Sequence, residues 1–373
     1  MHFSIDRKFL YEKLSLVSRA ISSFSPIPAL SGICIQVDAN QIILTGSNSN
    51  ISIRTTILSG ELNQLQVHET GSIVIEAKYL LEIVRKLDCT MIEMECIDHS
   101  LVRLSSVNGQ FQLNGIQAQE YPSIDFSAPS YSFTMKAKDL KECVAQTSFA
   151  CSDKDQRPVL TGVNFHARQG ILYCSATDSY RLARKVLSFD DLHDFNITIP
   201  SKSLIEVTRS LEEDDMDIQI FVDHKKAQFL LDKTIIQTRL IDGTFPDVER
   251  IIPKESVAVM EVSATELDSV IDRTNFIRNE KIHQIKLECT PEICRIKTSS
   301  VEIGNSDEIL TDCTYTGQDL TLSCNGSYML DAIRALHGEK VKLEFSGYMK
   351  PIRISNPEDS SVLMIVVPIR SYD

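Results

Sequence analysis

Slid against itself by about 130 residues, the chain repeats one order of local patterns, and this recurrence constrains the fold more than any other feature. Phe3-Ser4-Ile5 followed by Leu10 and Leu14 recurs as Phe133-Thr134-Met135 followed by Leu140 and Val144, a shift of 130. Met260-Glu261-Val262, then Leu267 and Ile271, is a third copy. Each reads as a short strand running into apolar residues at helical spacing, as in Leu10, Leu14, Val17 and Ile21. Pro28-Ala29-Leu30-Ser31-Gly32 matches Pro158-Val159-Leu160-Thr161-Gly162, and Gly46-Ser47-Asn48-Ser49 matches Ala176-Thr177-Asp178-Ser179 at the same shift. The third copy keeps the strand region from Ile285 to Val301 but loses the proline–leucine–glycine signature. A second helix recurs from Ala77 to Leu87, Ser201 to Leu211 and Gly326 to Leu336, with Arg85, Arg209 and Arg334 near the three ends. Copies one and two close on similar corners, Asn114-Gly115 to Tyr121-Pro122 and Asp242-Gly243 to Phe245-Pro246.

Each repeat therefore reads strand, helix, strands, helix, strands, an α+β arrangement of two helices on antiparallel sheets. Proline-containing joins place the expected boundaries at 1–125, 126–253 and 254–373. A length of 373 residues suits two or three domains rather than one core.

The net charge of −13 argues against nucleic acid only if charge is spread evenly. It is not. Residues 7–19 carry +3, 78–87 carry +2, and 136–150 and 202–211 carry +1 each. In the third repeat 265–278 carry −1 and 327–336 carry 0, so the six helical segments hold +6 and the remainder −19. A weakly basic set of helix faces contacting phosphates alone would give no sequence readout, which suits sliding.

Catalytic signatures are missing. No phosphate-loop, dinucleotide, zinc-protease or nucleophile-elbow motif occurs, and no histidines stand at i, i+4. The ten cysteines form no Cys-x-x-Cys pair, and the nearest two, Cys289 and Cys294, have no histidine set beside them, so reduced thiols are expected. The acidic run Glu212 to Asp217 lacks the glycine and terminal glutamate of a calcium loop and reads as a solvated turn. Thr177-Asp178-Ser179-Tyr180-Arg181 gathers a hydroxyl, a carboxylate and a guanidinium, but no base for nucleophilic catalysis lies near. No apolar run of about 18 residues is present.

Four segments together resemble the bacterial β sliding clamps, the processivity subunits of DNA polymerase III: Arg157 to Gly162, Ala176 to Ala183, Asp242 to Asp247 and Val366 to Arg370. The resemblance covers the whole chain. It implies a non-catalytic clamp without a cofactor, cytoplasmic and away from membranes, that encircles double-stranded DNA irrespective of sequence and tethers the replicative DNA polymerase. The implied assembly is a head-to-tail homodimer whose six domains form a ring, helices inside and sheets outside. Phe111 and Leu113 of one subunit would meet Phe276 and Ile277 of the other. A groove between the second and third domains would receive linear motifs from polymerases, the clamp loader and repair proteins. Its matching positions are Leu160, Thr177, Tyr180, Arg181, Leu182, Pro246, Arg250, Ile251, Ile282, Asn325, Tyr328, Met349, Pro351, Val366, Val367, Pro368, Ile369 and Arg370. Leu160, Leu182, Ile251 and Val367 would bury an apolar side chain, and Arg181, Arg250, Asn325 and Arg370 would orient the peptide.

The residues expected to face DNA are Arg7, Lys13, Arg19, Lys78, Arg85, Lys136, Lys141, Lys202 and Arg209 on the helices, with Lys154 and Gln156 in a loop. Phe24 and Tyr180 stand where relatives often carry a basic residue and a histidine. A closed ring needs an opener with an energy source, so a separate ATP-driven loader is implied. The main competing reading, a soluble regulator of the same fold, differs in not being retained on circular DNA.

Overall fold

The computed structural model describes residues 1–22, 24–98, 100–107, 109–154, 156–277 and 282–370. In repeat one, β1 (His2–Asp6) leads into α1 (Arg7–Ser18), followed by β2 (Gly32–Asp38), β3 (Gln41–Ser47), β4 (Ile51–Leu58), β5 (Gln66–Glu69) and β6 (Gly71–Glu76). Then come α2 (Ala77–Lys86), β7 (Met91–Asp98), β8 (Leu101–Ser106) and β9 (Gly109–Gln117). Repeat two runs β10 (Tyr131–Lys136), α3 (Ala137–Thr147), β11 (Gly162–Arg168), β12 (Ile171–Thr177), β13 (Arg181–Ser188) and β14 (Phe195–Pro200). It continues with α4 (Ser201–Arg209), β15 (Asp217–Val222), β16 (Lys226–Leu231) and β17 (Thr234–Arg239). Repeat three begins with β18 (Ala258–Ser263), α5 (Ala264–Arg273), β19 (Gln284–Cys289), β20 (Cys294–Ser300), β21 (Gly304–Leu310) and β22 (Cys313–Gly317). It ends with β23 (Leu320–Asn325), α6 (Gly326–Ala335), β24 (Lys340–Phe345), β25 (Ile352–Asn356) and β26 (Asp359–Val366).

Local chemistry sets these limits. The Asp6 carboxylate accepts from Phe9 N at 2.9 Å and caps α1, while Asn325 accepts from Ser327 N at 3.0 Å and caps α6. Leu10, Leu14 and Val17, one stripe of α1, are wholly buried where that helix packs on β3 and β4. Truncating Leu14 to alanine would cost about 2–5 kcal/mol. The glycine of the proline–leucine–glycine signature is required by close approach. A Cβ on Gly32 would lie 2.6 Å from Val74 Cγ1, and one on Gly162 would lie 2.5 Å from Ile199 O.

Every repeat supplies two four-strand antiparallel sets in the same order. The first is β6-β2-β3-β4, β14-β11-β12-β13 or β23-β19-β20-β21; the second is β1-β7-β8-β9, β10-β15-β16-β17 or β18-β24-β25-β26. The sets of neighbouring repeats join by one rule: the last strand of a first set pairs with the last strand of the next repeat's second set. Thus β4 pairs with β17 (Thr55↔Thr234) and β13 pairs with β26 (Arg181↔Val366).

These joints divide the chain into two compact units, Met1–Leu140 with Lys202–Leu240 and Lys141–Ser201 with Ile241–Asp373. Compactness follows continuous sheets, of 13 strands in one unit and 9 in the other, instead of the three repeats. The middle repeat gives one four-strand set to each.

Candidate interaction site

All the expected groove positions lie in the second compact unit. Leu160 and Leu182 belong to one buried apolar cluster with Val159, Phe245, Val248, Leu363 and Ile365, against which Ile241 and Ile252 pack. They form the floor under the β13–β26 joint rather than an open lining. Pro246, Arg250 and Ile251 sit on the segment that Phe245 and Val248 anchor in that cluster. Ile251 and Ile282 are exposed apolar side chains, and Arg250 is 85% exposed with a surface ion pair to Asp247 at 2.9 Å.

The turn from Thr177 to Arg181 is fixed by its own side chains. Thr177 Oγ1 donates to Arg181 O at 2.6 Å and accepts from Ser179 N at 3.1 Å, with Ser179 at φ 80°. One Asp178 oxygen accepts from Tyr180 N at 2.9 Å and Arg181 N at 3.0 Å. Tyr180 is left 64% exposed at the tip, its carbonyl accepting from Val367 N at 2.9 Å.

Arg181 is engaged by partners of its own chain. Its Nε donates to Asp178 Oδ2 at 3.1 Å, its Nη1 bonds the Asp331 carboxylate on α6, and its guanidinium lies 4.4 Å from the Tyr328 ring. With its side chain 13% exposed and both ends paired to carboxylates, it ties the turn to α6. Asn325 is likewise engaged by its oxygen as the cap of α6. Burial beside this cluster raises the Tyr328 hydroxyl pKa. Thr177, Val366 and Pro368 are buried, Val367 and Ile369 half-buried, and Arg370 exposed. Ile352 opposes Val366 in the β25–β26 pair, bringing Pro351 alongside, and Met349 adopts φ 58° in the preceding hairpin. Ile369 N donates to Ser323 O at 2.7 Å, tying the terminal segment to β23 two residues before Asn325. Asp331 is not among the expected groove positions, and at 150 residues from Arg181 it gives no local signal in the sequence.

The expected DNA-facing cations separate into engaged and presented ones. Arg7 donates to Cys89 O at 3.1 Å and Val84 O at 3.2 Å, so its guanidinium covers carbonyls at the end of α2. Arg19 donates to Arg209 O at 2.7 Å, and Lys136 pairs with Asp217 at 2.8 Å, a bond that raises its pKa. Lys13 lies over the Phe9 ring at 5.4 Å, Lys141 is half-buried, and Arg209 makes an exposed pair with Glu206. Lys78, Arg85, Lys154, Gln156 and Lys202 are exposed. In repeat three Arg334 bonds Asp268 at 2.6 Å and reaches Asp272 at 3.4 Å, and Arg273 bonds Glu308 at 2.8 Å. Its helix arginines are thus neutralised from within. Phe24 is 92% exposed.

At the two strands with no successor in the joining rule, β9 carries exposed Phe111 and half-buried Leu113, and β21 carries exposed Ile309. Phe276 is 62% exposed, whereas Ile277 is 1% exposed and already packed within its own chain.

Family models of the DNA polymerase III beta subunit match the whole architecture: the N-terminal domain over residues 1–125, the central domain over 134–247 and the C-terminal domain over 249–370. The beta sliding clamp of Bacillus subtilis is 34% identical over 378 residues, covering 100% of both chains. That of Halalkalibacterium halodurans is 35% identical over 380 residues, again covering 100% of both. The crystal structure of the Bacillus subtilis DNA polymerase sliding clamp superposes with a TM-score of 0.96 at 33% identity and 100% coverage of both chains. The Streptococcus pneumoniae DNA polymerase III beta chain gives 0.96 at 30% identity, covering 99% of this chain and 100% of that one.

Proposed function

This chain belongs to the DNA polymerase III beta subunit family, the beta sliding clamps, and we propose that it closes as a head-to-tail homodimer around duplex DNA. The carrying observation is the joining rule. Repeats one and two meet through β4–β17, and repeats two and three through β13–β26. Applied once more, the rule pairs β21 of repeat three with β9 of repeat one in a second copy, and applied twice it closes six repeats into a ring. From Gly109 to Asn114, β9 is paired only on its β8 side, and β21 only on its β20 side, among the described residues. Exposed strand edges of this kind are templates for pairing. Phe111, Leu113, Phe276 and Ile309 supply apolar area at the contact, and Ile277 supports it from beneath.

Within the ring, exposed helix cations of repeats one and two hold phosphates without reading bases. The groove over Leu160 and Leu182 takes short segments of the replicative polymerase, the loader and other DNA-processing proteins. An apolar partner side chain sits between Tyr180, Ile251 and Val367, and Arg250 and Arg370 steer the backbone. The clamp acts as a tether and not as a catalyst, in the cytoplasm. No helix among the described residues is long and apolar enough to cross a membrane.

Primer extension on singly primed circular DNA, with the cognate polymerase, loader and ATP, tests this reading. Product length per polymerase binding event should rise sharply when the protein is added. Unchanged length with an active loader would favour a regulator that has kept the fold.

A further inference from the structure

A cavity of about 400 Å³ lies in the first compact unit between β2, β3, β4 and the loop after β9. Its polar lining is Gln36, Thr45, Arg54, Tyr121 and Ser123. Arg54 lies with its guanidinium 3.9 Å from the Phe126 ring centre, and its Nε, like that of Arg184 in the second repeat, is buried with no hydrogen-bond partner. The second repeat shows what such an arginine ordinarily does. Arg184 is the counterpart of Arg54 at the shift of 130, opposite Ser175 as Arg54 is opposite Thr45. Arg184 also stands by an aromatic ring, Tyr173 at 5.5 Å, but Glu249 on the following loop supplies a carboxylate to it.

Counting from the shared proline, Pro246 to Glu249 matches Pro122 to Asp125. Asp125 therefore occupies the position of Glu249, yet it points elsewhere. Its oxygens accept from Ser127 N and Ser127 Oγ at 2.8 Å each, and Lys226 Nζ stands 3.5 Å away. Held by Ser127, with Lys226 of β16 at hand, Asp125 does not give Arg54 the carboxylate that Glu249 gives Arg184. Burial lowers the Arg54 pKa, and the nearby groups that oppose this are the Cys34 thiol and the Tyr121 hydroxyl, both pushed upward by burial and hence neutral. A partly desolvated guanidinium lacking a counter-charge, open to a cavity of ligand size, is an anion site.

We propose that the cavity binds a small organic acid, whose carboxylate takes on Arg54 the place that Glu249 takes on Arg184. A carboxylate is favoured over a phosphate because the filled copy accommodates one, with an aliphatic stem beside the proline loop.

The test is calorimetric titration of the full-length protein with glutarate at constant ionic strength, in parallel with inorganic phosphate and an N-acetylated tripeptide carrying one central glutamate. Saturable glutarate binding should weaken by about tenfold or more in Arg54→Met, the loss of one charge-assisted bond. Ser123→Glu, which offers a carboxylate from the loop itself, should abolish glutarate binding and raise the unfolding temperature. It keeps the proposal decidable if Arg54→Met folds poorly. Equal binding by wild type and variants, or no saturation, would overturn the site. Tighter binding of phosphate would overturn its carboxylate character. Tighter binding of the tripeptide would overturn the assignment to a free acid.

Discussion

Replacing Arg181 by methionine keeps the length of the side chain and removes its charge, and the structure sets the size of the consequence. Arg181 and Asp178 are 13% and 12% exposed, so the pair is nearly buried. Breaking a buried pair by removing one partner costs about 3–5 kcal/mol. Asp178 retains the Tyr180 and Arg181 backbone amides as donors, which favours the lower end. The second partner, Asp331, is 44% exposed and adds at most about 1 kcal/mol. Loss of the guanidinium from the Tyr328 face adds about 0.5–1 kcal/mol. The sum, about 4 kcal/mol, is a large fraction of the roughly 5–15 kcal/mol that stabilises a domain. Denaturant unfolding should therefore show a lowered midpoint. Fluorescence titration with a clamp-binding peptide of the cognate polymerase should show an affinity loss of about tenfold or more, because Tyr180 and Tyr328 lose their brace. Arg250→Met removes a surface charge and should weaken the peptide with stability changed by less than about 1 kcal/mol. Should Arg181→Met lose the peptide while stability stays within that same margin, Arg181 would be a direct contact and the bracing argument would be wrong.

Phe111→Asp places a charge on the open β9 edge and should raise the dimer dissociation constant by about 30-fold or more in sedimentation equilibrium. Ile277→Ala should instead lower fold stability by about 2–5 kcal/mol, since that side chain is buried within its own chain. Lys78→Ala with Arg85→Ala should flatten the salt dependence of DNA binding by about 1.8 in log–log slope. Arg334→Ala, already neutralised by Asp268 and Asp272, should leave that slope unchanged. Burial alone would raise the Glu266 pKa, but bonds from Thr311 Oγ1, Thr311 N and Asp312 N outweigh it and hold the carboxyl below its ordinary value. Its stabilising contribution is complete above about pH 4.3 and lost as the pH falls through the lower folded value. Glu266→Gln should flatten the acid limb of a stability profile followed by circular dichroism.

Short-range pattern carried the repeat. Leu10, Leu14 and Val17 give a helix stripe, and the alternation of β1 gives a half-buried strand, so each repeat's element order was legible without coordinates. The joints were not. Thr55 opposite Thr234, and Arg181 opposite Val366, are decided by partners far along the chain. The three domains of the sequence repeat match the three family domain models, while the continuous sheets group them into two compact units. Repeat three lacks the proline–leucine–glycine signature, yet its strands keep the order of the other two, because the order rests on strand pairing and the glycine only on one close approach. In the groove, residue type marked Leu160 and Leu182 as apolar but could not distinguish floor from rim. The Arg181–Asp331 bond was not legible, because Asp331 lies 150 residues away in sequence. Phe276 and Ile277 are neighbours of one chemical kind, and only tertiary packing exposes the first and buries the second.

Topological linkage is the central claim, and it is tested most directly by loading the protein onto nicked circular DNA with its cognate loader and ATP, removing free protein, and then cutting the circle once. A closed ring should remain bound to the circle through a high-salt wash and leave when the DNA is linearised. Equal retention on circular and linear DNA would contradict encirclement and reduce the helix cations to ordinary phosphate contacts.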